Sequence, residues 1–111
     1  MKRYCLTLDL KNDEQLIKQY EEYHKKVWPE IIASLKDSGI ESMEIYRYGT
    51  RLFMIIEAKD SFNFENKAMM DKSNKKVVEW EEKMAEFQQP LDGSALHEKW
   101  KLMNKIFDLP R

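Results

Sequence analysis

The segment YEEYHKKVWPEI, which begins at Tyr20, gathers two tyrosines, a tryptophan, a proline and one of the chain's two histidines. Tyr20, His24 and Trp28 recur at i, i+4 and i+8, so on a helix they share one side. A phenol, an imidazole and an indole on one stripe suit a sugar. The aromatic faces pack against the C–H bonds of a pyranose ring, and the phenol and imidazole bond its hydroxyls. Imidazole also titrates near neutral pH, so His24 is able to give and take a proton. The same residues fit a second description. A histidine on an apolar stripe is commonly a satisfied core residue, and tyrosine and tryptophan are common in cores and interfaces. Spacing alone leaves both descriptions open.

Other chemistries find less support. Three scattered glycines cannot form a phosphate-cradling loop. The two histidines lie far apart and there is one cysteine, so a metal site has weak support. Nothing marks out a nucleophile with its base. Cys5 cannot form an internal disulfide and sits in an apolar run, where it reads as inert packing. His97 lies in a polar segment and reads as solvated. Glu30, beside Pro29, is accounted for by a carboxylate's preference for the first turn of a helix.

The elements that would hold the stripe follow from periodicity. Arg3 to Leu10 alternates, with Tyr4, Leu6, Leu8 and Leu10 on one side, which predicts a half-buried strand. Asn12, with Gln15 three residues on, resembles a capping box that opens a helix running to about Ser38. Leu16, Ile17, Tyr20, His24, Val27, Ile31 and Leu35 supply its inner face. Pro29 predicts a kink near Lys25 to Trp28, or a restart with the proline in a first turn. Gly39 predicts the left-handed stop. IESMEIYRY and RLFMIIEAK read as strands around a Gly49–Thr50 turn. Ser61 to Phe87 reads as helix in two pieces broken near Ser73–Asn74, with Val77, Trp80, Met84 and Phe87 as a core stripe. QPLDGS reads as a loop. KWKLMNKIFDL reads as a closing strand, with Trp100, Leu102 and Ile106 on one face.

The order β-α-β-β-α-β is that of a ferredoxin-like α+β unit, an antiparallel sheet with helices on one face. Apolar residues on both sides of the last strands predict that the other face is covered, by a second subunit or a ligand. With 111 residues the chain is expected to form a single domain, 1–111. Nineteen Lys and Arg against 20 Asp and Glu give a net charge of −1, which argues against nucleic acid and against an anionic membrane surface. The N-terminus alternates rather than forming an apolar run, so neither a signal peptide nor a membrane helix is expected, and the single cysteine fits a cytoplasmic setting.

In Tyr20-x-x-x-His24-x-x-x-Trp28-Pro29-Glu30 the chain resembles the L-rhamnose mutarotase family. The resemblance continues through Lys36 to Gly39, Ile45-Tyr46, Leu52-Phe53 with Glu57, Trp80 with Met84, and Phe107 to Pro110. It implies a dimeric α+β barrel of two ferredoxin-like subunits packed sheet to sheet. It further implies a cofactor-free, metal-free isomerase that interconverts the α and β anomers of a 6-deoxyhexose, L-rhamnose first. His24 takes the role of proton donor, and Tyr20 and Trp80 take roles at the sugar; Trp28, from the stripe, and Tyr46 are further candidate sugar contacts. Two positions depart from the pattern. Met43 stands where a sugar-contacting tyrosine is expected, and Glu81 where a second tryptophan follows the first. Hydroxyl contacts must differ there, which makes L-fucose an alternative substrate. Glu81 is a candidate acceptor of sugar hydroxyls and, with a tyrosine or water, a candidate second proton-transfer group. Two further alternatives share the architecture: a haem-degrading or quinol-type monooxygenase with His24 on iron, and a non-catalytic ligand-binding domain.

Overall fold

The computed structural model describes residues 1–91 and 99–110. The expectations for His97 and for the later part of the QPLDGS loop fall outside them. Strand β1 (Lys2–Leu10) leads through helices α1 (Glu14–Lys25) and α2 (Pro29–Asp37) to the hairpin β2 (Ile40–Tyr48) and β3 (Arg51–Ala58). Helices α3 (Phe64–Ser73) and α4 (Lys75–Ala85) follow, then two short strands, β4 (Gln88–Gln89) and β5 (Lys101–Leu102). β1 is central. It pairs antiparallel with β3 from Lys2↔Ala58 to Asp9↔Arg51. Its other edge is shared, with Asp9 and Leu10 against β4 and Leu6 and Thr7 against β5. The order β2-β3-β1-β4 is the ferredoxin-like one, with β4 and β5 together in place of a single last strand.

Local chemistry explains the boundaries. α1 is capped by Asp13 rather than the expected Asn12, because the Asp13 carboxylate reaches two free amides, Gln15 N–H at 2.9 Å and Leu16 N–H at 3.1 Å. The long helix does not kink; it stops at Lys25 and restarts, with Trp28 as N-cap and Pro29 in the first turn, where its missing donor costs nothing. Gly39, at φ 102°, closes α2, and Gly49, at φ 60°, makes the hairpin turn. Asn74 separates α3 from α4 and caps the latter through Lys76 and Val77 N–H.

The closing strand is much shorter than the sequence suggests. Met103 N–H still donates to Cys5 C=O at 2.8 Å, but regular pairing ends at Leu102. Ile106, expected to share one strand face with Trp100 and Leu102, is 94% exposed. Its apolar pattern has no counterpart to pack against within one chain.

All helices with buried residues lie on one sheet face. Leu10, Leu52, Tyr20, Ile31, Val77, Trp80, Met84 and Phe87 form one core cluster. Leu6, Ile40, Met54, Ile56, Ala58 and Phe62 form a second. The other face carries half-buried Cys5, Phe53 and Ile55 and exposed Tyr46 and Tyr48, so it is largely bare in one chain.

Candidate active site

Tyr20 and His24 sit one turn apart at the end of α1, facing β3 and α4. Tyr20 is buried, with its ring against Phe87 at 6.0 Å between centroids. Its hydroxyl accepts a hydrogen bond from the Gln88 side-chain amide at 3.3 Å. Burial pushes this phenol up to about 12, helped by the charge of Glu81 and opposed by the Gln88 bond. Tyr20 therefore keeps its proton at neutral pH.

His24 is half-buried, and its ring lies on the Tyr20 ring at 4.4 Å. Its Nδ1 is 2.8 Å from the Tyr20 carbonyl oxygen. A carbonyl only accepts, so Nδ1 carries the hydrogen, and in the neutral ring Nε2 is left with the lone pair. Burial holds the imidazole below its ordinary value, against the opposing pull of that backbone bond. At neutral pH the ring is therefore neutral, and its Nε2 is able to accept a proton.

A cleft of about 520 Å³ opens here, lined by Tyr20, His24, Ile45, Arg47 and Leu52 among others. That volume lies within the ~300–1,000 Å³ common for small-ligand sites. The guanidinium of Arg47 is held at the rim by Glu21, at 3.1 Å, and by the Gly49 carbonyl, at 2.8 Å.

The remaining predicted residues divide. Trp80 is buried on α4 and edges onto His24 at 5.6 Å, so it joins the pair. Trp28 does not continue the Tyr20–His24 stripe, because the helix breaks before it. It meets the others only through Trp80, at 5.1 Å. Trp28 instead borders a separate cleft of about 570 Å³ with Gln19, Tyr23, Lys26, Val27 and Pro29, on a neighbouring stripe of α1. Tyr46 borders the first cleft, yet its hydroxyl donates to Glu44 two residues away, on the sheet face turned from the helices. Met43 pairs with Ile56 and packs in the second core cluster, away from His24. Glu81 is half-exposed and ion-paired to Lys99 at 3.1 Å.

Gln88, Lys99 and Arg47 were not singled out by sequence. Among the described residues, Gln88 and Lys99 are the two buried polar or charged ones, at 4% and 8% exposure. Nothing in FQQP or HEKWK distinguishes them from solvated neighbours. Arg47 could have been found: it falls at an inward position of β2, between Ile45 and the turn. Among the described residues, no group of three or more His, Cys, Asp or Glu is placed to hold a metal ion, and no helix is long and apolar enough to cross a membrane.

A ferredoxin-like sheet with a neutral imidazole and a protonated phenol beside a small cleft has the parts a general acid–base site for a small polar ligand requires. Comparison with known proteins narrows the class. The L-rhamnose mutarotase family model matches residues 3–109, and the chain belongs to that family. It is 42% identical over 111 residues to an L-fucose mutarotase of Xanthomonas campestris pv. campestris, covering 98% of this chain and 89% of that protein. The crystal structure of an L-rhamnose mutarotase from Formosa agariphila superposes with a TM-score of 0.73 at 19% identity, covering 99% of this chain and 100% of that one. A dimeric ferredoxin-like protein from an uncultured marine organism superposes with a TM-score of 0.50 at 12% identity, over 97% and 91% of the two chains. The protein is thus a sugar mutarotase, an isomerase that interconverts anomers.

Proposed function

We propose that this chain exchanges the α and β anomers of a 6-deoxy sugar pyranose, with L-fucose preferred over L-rhamnose, and that His24 is its proton-transfer residue. The orientation of His24 carries the mechanistic part: Nδ1–H is committed to the Tyr20 carbonyl, so Nε2 is available to substrate. Nε2 takes the proton of the anomeric hydroxyl. As the C1=O bond forms, the bond from C1 to the ring oxygen breaks, and the ring oxygen gains a proton. Tyr20 O–H suits that donation, since Gln88 already donates to its oxygen and leaves the phenolic proton free. After rotation about C1–C2 the steps run in reverse on the other face of the carbonyl. A positioned base of this kind contributes about 10²–10⁴-fold.

The preference for L-fucose rests on the 42% identity to an L-fucose mutarotase, together with the departure at Glu81. NMR saturation transfer between anomers, with each sugar in turn, tests it. Faster exchange of L-fucose than of L-rhamnose supports it, and the reverse order refutes it.

The working form is a homodimer. Tyr48, 90% exposed on the bare sheet face, and Ile106, Phe107 and Leu109 in the tail, at 94%, 72% and 72%, make an apolar surface that a second copy laid sheet to sheet would cover. Sedimentation equilibrium should give twice the 13.4 kDa chain mass, and a monomer at micromolar concentration would overturn the assignment.

A further inference from the structure

Arg47 stands where the strand pattern calls for an apolar side chain. On β2 the preceding residues of the same parity, Met43 and Ile45, pack against the core on the helix-covered face. Arg47 continues that row opposite Leu52 of β3, and both border the cleft beside Tyr20 and His24. Its side chain keeps 34% exposure, and its guanidinium is held from two sides. Nε–H donates to a Glu21 carboxylate oxygen at 3.1 Å, and Nη1 donates to the Gly49 carbonyl at 2.8 Å. Glu21 lies on α1, three residues before His24, so the first bond ties β2 to the helix that carries the base. An ion pair this exposed contributes little stability, so the pair alone does not account for a guanidinium at an inward position. A guanidinium has five N–H donors. With Nε–H and one hydrogen of Nη1 taken, one on Nη1 and both on Nη2 have no partner among the described residues.

A planar fork braced on two edges and open on the third suits a pair of neighbouring acceptors. On a pyranose that pair is two vicinal ring hydroxyls. His24 and Tyr20 are assigned to the anomeric hydroxyl and the ring oxygen, which leaves the hydroxyls at C2, C3 and C4 for a donor on β2. We propose that Arg47 is a sugar-binding residue whose open N–H groups donate to two neighbouring hydroxyls of that set, and that Glu21 is the positioning residue that aims it. This rests on the assignment of the Tyr20–His24 cleft as the sugar site. Contacts remote from the reacting atoms are made equally in the ground state and the transition state, so Arg47 acts on KM rather than on kcat. Glu21 touches no sugar; it acts by holding Nε of Arg47.

The test measures kcat and KM for anomer exchange by NMR saturation transfer. The substrates are whichever of L-fucose and L-rhamnose the wild type exchanges faster, and the 2-, 3- and 4-deoxy analogues of that sugar. The proteins are the wild type, His24→Ala, Arg47→Leu, Arg47→Lys, Glu21→Ala and the Glu21→Ala/Arg47→Leu double variant. Arg47→Leu should raise KM roughly 10–100-fold and change kcat by less than about threefold. Arg47→Lys keeps the charge but loses the fork, so it should recover only part of that loss. Glu21→Ala should raise KM several-fold, and the double variant should be no worse than Arg47→Leu alone. Removal of either of two neighbouring hydroxyls should raise KM roughly tenfold in the wild type and leave Arg47→Leu unaffected, an outcome a merely structural arginine would not produce. KM within about twofold of wild type in folded Arg47→Leu overturns the inference. So do deoxy effects as large in Arg47→Leu as in the wild type. In both cases loss of exchange in His24→Ala leaves the cleft assignment standing. Should Arg47→Leu fail to fold, Arg47→Lys with the deoxy series decides by the same criteria. A wild type that accelerates neither sugar overturns the cleft assignment itself, and this inference with it.

Discussion

The two halves of the helix-covered sheet face are built from different materials. At one end Tyr4, Phe62 and Phe64 meet in two T-shaped contacts and one tilted one, with centroids 4.9–5.9 Å apart, in a cluster with Ile56 and Ala58. Its polar contacts, Arg3–Glu57 and the Met1 terminus–Asp60, are at its exposed edge, and its buried part is apolar. At the other end Tyr20 and Trp80 are as deeply buried, yet buried Gln88 bonds to Tyr20, buried Lys99 pairs with Glu81, and half-buried His24 lies against both rings. Polar groups in a core must be paired and still contribute little net stability, so a fold confines them to where they are used. The contrast marks the Tyr20–His24 end as the candidate site without reference to any cavity.

That contrast makes opposite mutational signatures at the two ends. His24→Ala should lower anomer exchange by about 10²–10⁴-fold while its thermal midpoint stays close to wild type, because the ring is only half-buried. Phe62→Ala should do the reverse. Loss of this ring, 3% exposed, should cost about 3–5 kcal/mol in denaturant unfolding and leave the rate per folded molecule unchanged. Tyr20→Phe should show both effects in moderation: roughly tenfold slower exchange, and about 1–3 kcal/mol lost because the buried Gln88 amide forfeits its acceptor. Met43→Leu should be nearly silent, under about 1.5 kcal/mol and with no change in sugar preference. A large preference change there would mean that the apolar end also touches sugar.

Much of this division was legible in the sequence. Period-2 runs found β1, β2 and β3, and the Val77–Trp80–Met84–Phe87 stripe found the inner face of α4. Tyr20 and His24 were found from their spacing and Trp80 from the resemblance, since i, i+4 placement survives any helix geometry. Trp28 was misplaced for a physical reason. Eight-residue spacing keeps one face only on an unbroken helix, and Pro29 starts a new one. Tyr46 and Met43 depend on which sheet face each occupies. In β2 the register shifts between Ile40 and Ser42, so strand parity could not be counted from the hairpin's far end. Gln88 and Lys99 were invisible because burial of a polar residue is decided by tertiary neighbours, here Tyr20 and Glu81. The closing strand was overextended because apolar alternation signals a face to be covered without saying which chain covers it.

The central claim is that a neutral His24, with Nε2 free, exchanges the anomeric proton. The pH dependence of kcat/KM for L-fucose tests it most directly. The active form is the deprotonated ring, and burial lowers its pKa from 6.5, so exchange should rise with pH to a plateau at neutrality, with a midpoint below 6.5. The midpoint should coincide with the His24 titration followed by NMR, and the limb should vanish in His24→Ala. A rate that is flat, or that falls as pH rises between about 5 and 7, would contradict the account.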